Sequence, residues 1–456
     1  MKKFDFDFAD KTDALEFNCA KDFLFCKILP TLTYSAIAGL IVGVFVTIFN
    51  FLLEIASKYS FALLKLVNGN LPYAPLYILG ICLLGLLGAF IIKKLPEARG
   101  SGIPRTENML QNKANLSWWR MSIATFFGSL VSFFAGLPVG SEGPSVQLGA
   151  GLASGVEKLG GKRNWSHFIA NGGAAAGFAT AFGAPFTGIM FVQEEVQRKF
   201  NPLMLASCCM AVAYSFLTHE FLSEALGISK VLFMPVGDVF LPTNFLWVTI
   251  VIGVATTLVS YLFNTVVLSI NKRSKKTKHS KGAQVALIVA IFFVTALIDV
   301  FYVGNFGSGL SAIRALIGGA PIDLSATLIL LVVKFVMISF CFYTGATGGM
   351  MVPMLALGAL TGGVLGAVFV NMGLPTECFA TVVLISMCCF FGSSIKAPFT
   401  VILLFIETTH GFGGIMPLML AVLVSTALGE ILKQKPLYDT MSERDADHNM
   451  LSNSMR

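Results

Sequence analysis

A chain of 456 residues that is 55% hydrophobic and 12% charged, with a mean hydropathy of +0.77, cannot give a water-soluble globule an ordinary polar surface. It reads as a polytopic membrane protein. Because no apolar/polar alternation over about ten residues recurs, it reads as all-α and not as an outer-membrane barrel. The formal charge of +7 is unevenly placed: Lys272, Arg273, Lys275, Lys276, Lys278 and Lys281 form one basic loop without an acid. The positive-inside rule puts that loop in the cytoplasm and needs no nucleic-acid partner to explain it.

Residues 1–28 mix acids into any would-be signal sequence and are expected to be an uncleaved cytoplasmic segment. Leu29 to Leu53 is charge-free and long enough to span a bilayer, and Ala74 to Ile92 is a second span, ended by Lys93 and Lys94. In PEARGSGIPRTENML, Gly100, Ser101, Gly102 and Pro104 then break an otherwise helical region and free backbone amides there. Met121 to Pro138 is apolar and leads to VGSEGPSVQLGAG, where Glu142 is the only charge between Arg120 and Glu157. A carboxylate at that depth is expensive and reads as functional. Pro144 suits the first turn of a helix running to about Leu159, with Gly140 and Gly143 allowing the backbone to bend closely around its start.

Phe168 to Gln193 opens with small residues, ANGGAAAGFATAFGAPFTG, whose spacing allows helix backbones to touch. Ala184-Pro185 interrupts this run, which ends on Glu194 and Glu195 beside Arg198 and Lys199, a cytoplasmic end. Another apolar segment covers Phe200 to Thr218, and Ser223 to Asn244 reads as a link outside the membrane. From Phe245 the pattern starts again. Gly307-Ser308-Gly309-Leu310 echoes Gly100-Ser101-Gly102-Ile103, GGMMVPMLALGALTGG echoes GSEGPSVQLGAGLASG with Pro353 on Pro144, and KAPFTVILLFIE echoes GAPFTGIMFVQE with Pro398 on Pro185 and Glu407 on Glu194.

Three blocks in one order at nearly constant offset indicate an internal duplication. It divides the chain into residues 29–222 and 245–440, joined by 223–244 and followed by a cytoplasmic tail, 441–456. Such repeats meet around a midplane site made of broken helices, so an inverted arrangement would bring four interrupted helix starts to one centre. No Lys or Arg sits in these motifs, leaving helix-start amides and their partial positive charge to hold an anion loosely enough to let it go. Ser101 can add a hydroxyl or simply serve the turn, and Met350 and Met351 place two amides where the second half's helix begins. Tyr438 can donate if the tail folds back, or can anchor at the interface.

Glu142 has no acidic counterpart, since Met351 matches it. Ionised, it can occupy the anion's seat; protonated, it can leave, which ties anion passage to protons. Either Glu194 or Glu195 is placed to pass those protons to the cytoplasm. Lys334, Lys396 and Glu407 read as interfacial. The nine cysteines lack CxxC spacing and the histidines lack ligand spacing, so neither metal nor cofactor is expected.

These residues resemble the CLC chloride channels and chloride/proton antiporters: GSGIP at Gly100 to Pro104, GSEGP at Gly140 to Pro144, GGMMVP at Gly348 to Pro353 and KPLY at Lys435 to Tyr438, within a similarity from about Leu29 to Thr440. The resemblance implies two inverted-topology repeats of tilted and broken helices and a homodimer with one pore per subunit. It implies a central chloride held by Ser101, Tyr438 and the amides of Met350 and Met351, with Gly102, Ile103, Gly140, Gly143 and Gly349 forming the backbone of the anion site. Glu142 would be the external gating and proton glutamate and Glu195 the internal proton acid. That acid leans the reading toward exchange of two chlorides for one proton and away from a passive channel.

Two departures stand out. Ser141 replaces a commoner Arg, and GMMVP replaces GIFAP. The chain ends soon after Tyr438, which suits a bacterial inner-membrane member with both termini in the cytoplasm and without nucleotide-binding regulatory domains. The alternatives are a glutamate-gated channel of the same fold, a fluoride/proton antiporter, which Ser101 and Pro144 disfavour, and an intramembrane hydrolase, for which no nucleophile and base stand at recognisable spacing.

Overall fold

The computed structural model describes residues 24–114, 116–159, 167–227, 240–276, 281–319, 323–410 and 412–454. The first half contains α1 (Leu29–Gly69), α2 (Ala74–Lys94), α3 (Ile103–Leu110), α4 (Trp118–Phe134), α5 (Glu142–Leu159), α6 (His167–Phe182), α7 (Pro185–Phe191) and α8 (Pro202–Leu226). The second contains α9 (Trp247–Lys276), α10 (Lys281–Phe301), α11 (Leu310–Ile317), α12 (Leu324–Thr344), α13 (Met351–Asn371), α14 (Phe379–Ile395), α15 (Pro398–Thr409) and α16 (Ile415–Ile431). Helix α17 (Leu437–Ser454) follows without a counterpart. Among the described residues, eight helical stretches are long and apolar enough to cross a bilayer.

The duplication is visible as paired contacts. Helix α2 packs on its equivalent α10, and α7 on its equivalent α15. Gly140 and Gly349, which hold matching places, exchange two hydrogen bonds in an antiparallel bridge, 2.8 and 2.7 Å long. Equivalent segments therefore run in opposite directions across a local two-fold axis, the signature of inverted repeats. Two more bonds obey the same axis: Gly100 N–H donates to Gly345 O and Gly307 N–H to Gly136 O.

Helices α6 and α14 form the middle of each half and are buried along almost their whole length. In α6 the small residues act as expected. A Cβ on Gly149 of α5 would stand 2.1 Å from Gly173 O of α6, a contact that exists only because both backbones lack side chains there. Phe178, Phe182 and Phe191 stack above it, with ring centroids 4.7 and 4.6 Å apart. The outer helices turn Leu76, Leu83 and Ile329 outward, the surface a lipid-facing shell requires.

Several expected boundaries shift. Helix α1 runs 41 residues, well past Leu53 and through Glu54 and Lys58, and at about 1.5 Å per residue it is longer than a bilayer's hydrocarbon core is thick. The basic residues Lys272 to Lys276 extend α9 and Lys281 opens α10, while residues 277–280, Lys278 among them, lie outside the described residues. The limit drawn at 222 falls inside α8, which ends on the left-handed Gly227; residues 228–239 of the expected link lie outside the described residues. The limit drawn at 440 falls inside α17. This helix is tied down past that point, since Asn108 Nδ2 donates to Ser442 O at 2.8 Å and Arg444 Nη1 to Leu268 O at 2.7 Å.

Lys334 is fully buried, not interfacial. Its ammonium donates to the carbonyls of Asn305 and Gly307 in the turn before α11 and lies in the field of Asp299, itself buried and accepting from Asn305 Nδ2 at 2.8 Å. Hydrogen bonds to carbonyls and one counter-charge are what a buried ammonium needs. Lys334→Met should strand Asp299 as an unpaired buried acid and cost about 3 kcal/mol or more, read as a lowered thermal midpoint in detergent.

Candidate anion-binding site

Three of the four interrupted helix starts meet. Gly102, at φ +84°, turns the chain into α3, a conformation without steric cost only for glycine, and no side chain caps the helix. Its first amides are therefore free to face a ligand. Helix α5 begins at Glu142 and α13 at Met351, likewise without a side-chain cap at Met350. A Cβ on Gly143 would stand 2.2 Å from Ser101 O and 3.1 Å from Gly349 Cα, so the starts of α3, α5 and α13 touch at this glycine. Gly348 N–H also donates to Gly100 O at 3.2 Å.

The fourth start, expected at the same centre, stands apart. Gly309 packs on Ala356 of α13, as Gly102 packs on Gln147 of α5. The residue matching Gly143 is Val352, however, so the second half has no glycine at the place where Gly143 admits the close approach of Ser101.

Ser101, Met350, Met351 and Tyr438 are all buried, at 3, 0, 0 and 0% exposure. The tail does fold back: α17 packs on α3 and brings Tyr438 beside Ser101. Both hydroxyl oxygens are buried, and although they lie close enough to interact weakly with each other, neither meets hydrogen-bond geometry with any partner among the described residues. Each unsatisfied hydroxyl costs roughly 1–3 kcal/mol, and a shared anion removes both penalties. Glu142, 1% exposed, directs its carboxylate toward the first turn of α13, in the field of the Val352 amide; one oxygen accepts from Ser141 Oγ at 3.4 Å and Oε2 has no hydrogen-bond partner among the described residues. A Cβ on Gly140 would stand 2.1 Å from Glu142 Oε2 and one on Gly349 3.3 Å from it, so the two-fold bridge is also the floor on which the carboxylate rests. Gly102, Ile103, Gly140, Gly143 and Gly349 all belong to this one backbone cluster.

The two neighbouring glutamates part company. Glu194 is consumed: Oε1 accepts from Phe399 N–H at 3.1 Å, and Oε2 from Thr400 N–H at 2.7 Å and Thr400 Oγ at 2.8 Å, capping α15. Glu407 does the same for α7, accepting from Phe186 N–H, Thr187 N–H and Thr187 Oγ at 2.7, 2.8 and 2.5 Å. It is thus a half-buried helix cap joining the two halves, while Lys396 pairs with Glu430 at 2.8 Å. Glu195 points elsewhere. One oxygen pairs with Arg198 Nη2 at 3.2 Å and the other has no partner among the described residues; Arg198 Nη1 also reaches Asp439 at 3.4 Å. Tyr438 lies within the electrostatic reach of both Glu195 and Glu142.

Two residues escaped sequence reasoning. Glu107, 1% exposed, leaves Oε2 unpartnered and has Glu195 and Asp439 as its acidic neighbours. Its spacing from Ile103 and Leu110 places it on the buried face of α3, a signal that was available. Arg99 shows that a cation does lie beside a broken motif: its side chain crosses Gly345, with Nε 2.4 Å from where a Cβ there would stand. Among the described residues, no group of three His, Cys, Asp or Glu side chains is arranged to hold a metal.

A family model described as voltage gated chloride channel matches residues 84–430. Over 394 residues the chain is 30% identical to the H(+)/Cl(−) exchange transporter ClcA of Salmonella arizonae, covering 84% of this chain and 81% of that protein. The crystal structure of a slow cyanobacterial Cl−/H+ antiporter superposes with a TM-score of 0.82 at 24% identity, over 91% of this chain and 98% of that one. A CLC-type fluoride/proton antiporter gives 0.72 at 23% identity, over the same shares.

Gly143→Ala tests the convergence directly. Its methyl would push Ser101 from the α5 start, and calorimetric chloride affinity should fall by about tenfold or more, roughly 1.4 kcal/mol.

Proposed function

Because the chain belongs to the voltage-gated chloride channel family, we propose that it is a secondary active transporter exchanging chloride for protons. The observation that carries this reading is the pair of unpartnered buried hydroxyls, Ser101 and Tyr438, within electrostatic reach of two buried acids, Glu142 and Glu195. A passive pore needs the hydroxyls and the helix-start amides. It has no use for a second acid with an unsatisfied oxygen beneath them.

In this reading chloride is dehydrated and held by the two hydroxyls and by the amides of Met350 and Met351. Hydrogen-bond donors without full charge offset the solvation loss and still let the ion leave. Ionised Glu142 holds the amide end of α13 in chloride's place. When a proton neutralises it, the attraction to those amides drops, the side chain swings out and an anion takes the seat. Glu195 then exchanges that proton with the cytoplasm, its other oxygen steadied by Arg198. The exchange of chloride named for the Salmonella relative supports the substrate. The same reading makes the protein a homodimer of the bacterial inner membrane with both termini cytoplasmic, and the outward Phe186, Phe221 and Phe399 on α7, α8 and α15 supply an apolar face for a second copy.

Purified protein in vesicles should move chloride uphill when only a proton gradient is applied; relaxation of chloride to equilibrium alone would rule out exchange. Glu142→Gln should keep chloride flux while losing coupled proton flux. Its chloride flux should no longer rise as the external pH falls, whereas the unaltered protein's should, because protonation is what frees the seat. Glu195→Gln should remove proton flux and spare chloride.

A further inference from the structure

The two carboxylates that cap the half-helices form a mirrored pair with one difference. Glu194 bonds the first turn of α15 through both oxygens, and Glu407 bonds the first turn of α7 in the same way, with the same Phe-Thr amides and the same threonine hydroxyl. Each sits near the C-terminal end of its own segment and closes on a left-handed residue, Arg198 at φ 52° and His410 at φ 52°. The next residue differs. After Glu407 comes Thr408, which donates to Phe405 O within its own helix. After Glu194 comes Glu195, buried and aimed at Arg198 and Asp439.

We propose that Glu194 is the positioning residue for the inner proton acid, its carboxylate clamp on α15 fixing the turn that aims Glu195 toward Arg198 and the start of α17 at Tyr438 and Asp439. This inference rests on the reading of Glu195 as that acid. The segment Val192–Gln197 is a π-helical turn, with five-residue hydrogen bonding that rotates side chains away from the regular α register. A turn of this kind needs an external hold, and three charge-assisted bonds to the other half supply it. Around Glu195 the facing charged and titratable groups are Arg198 on its own turn, Glu107 on α3 and Tyr438 and Asp439 on α17. Glu194 faces α15 instead, so its contribution is to direction and not to carrying the proton. Glu407 anchors with equal geometry but has nothing to aim, which makes it the natural control.

The test compares Glu194→Gln with Glu407→Gln, and the milder pair Thr400→Val with Thr187→Val, each reconstituted at full length. Proton and chloride fluxes are measured together with the thermal midpoint. Both members of each pair should lower the midpoint similarly. Only Glu194→Gln and Thr400→Val should lower the ratio of proton to chloride flux, by roughly threefold or more for the Gln variant, because a neutral amide presents a donor to donors. If Glu407→Gln lowers the ratio equally, the effect is general loosening and the positioning role is wrong. It is also wrong if both Glu194→Gln and Thr400→Val leave the ratio unchanged while Glu195→Gln abolishes it. If Glu195→Gln itself leaves the ratio intact, the assignment of the inner acid fails and the positioning role falls with it. The threonine pair carries the comparison should either Gln variant not fold.

Discussion

Two hydrogen bonds between Gly140 and Gly349 hold the centre of this molecule. They join residues in matching places of the two halves, so the local two-fold axis passes between them. No side chain can stand there: a Cβ on Gly349 would come within 2.9 Å of Gly143 N, and one on Gly140 would strike the Glu142 carboxylate. Once these backbones are joined, the rest is generated in pairs. The Gly100 to Gly345 and Gly136 to Gly307 bonds brace the loops on either side, and the reciprocal glutamate caps close the far ends of α7 and α15. A fold of tilted half-helices has many unsatisfied amides and carbonyls at membrane depth, and this symmetric bracing keeps them inside protein and away from lipid.

The electrostatics follow from what the axis leaves uncapped. Starts α7 and α15 receive a carboxylate from the opposite half, so their partial charges are spent on structure. Starts α3 and α5 receive none, α13 faces only Glu142, and the three converge. Partial charges on free amides suit a transported anion because a full cation in a low-dielectric site would hold it too firmly. Of the fixed cations nearby, Lys334 is committed to two carbonyls and Arg198 to Glu195 and Asp439. Glu142 is the exception that the site allows, a carboxylate seated on the same kind of amide end that α7 and α15 offer, but with a glycine floor and one weak serine contact in place of a threonine clamp.

Much of this was legible in the sequence. The broken starts at Gly102, Glu142 and Met351, the touching small residues of α5 and α6 and the duplication all follow from local composition and spacing, which the bilayer constrains tightly. What was not legible crosses between the halves. Aligning Glu407 on Glu194 showed that they match but not that each caps the other's helix, because the offset between repeats says nothing of the axis that relates them. Lys334 looked interfacial since its partners, Asp299 and the Asn305–Gly307 turn, are distant in sequence. The helix of Tyr438 ran past its expected end for the same reason, held by Asn108 from the first half.

The asymmetry within this symmetric frame explains why one half can carry ion chemistry and the other support it. Two substitutions between the repeats suffice. Gly143 lets Ser101 dock on the α5 start where the second half carries Val352, and Glu142 against Met351 puts the carboxylate on one side only. The position matching Lys334 is Thr125, so the buried ammonium that ties the turn before α11 has no partner across the axis, and that turn is held by a charge where the first half's is left to face the site. A duplicated scaffold would offer two equivalent seats; valine stands where one of them needs a glycine, an ammonium braces the turn beside it, and the remaining seat is the one that, in the proposed reading, Glu142 contests.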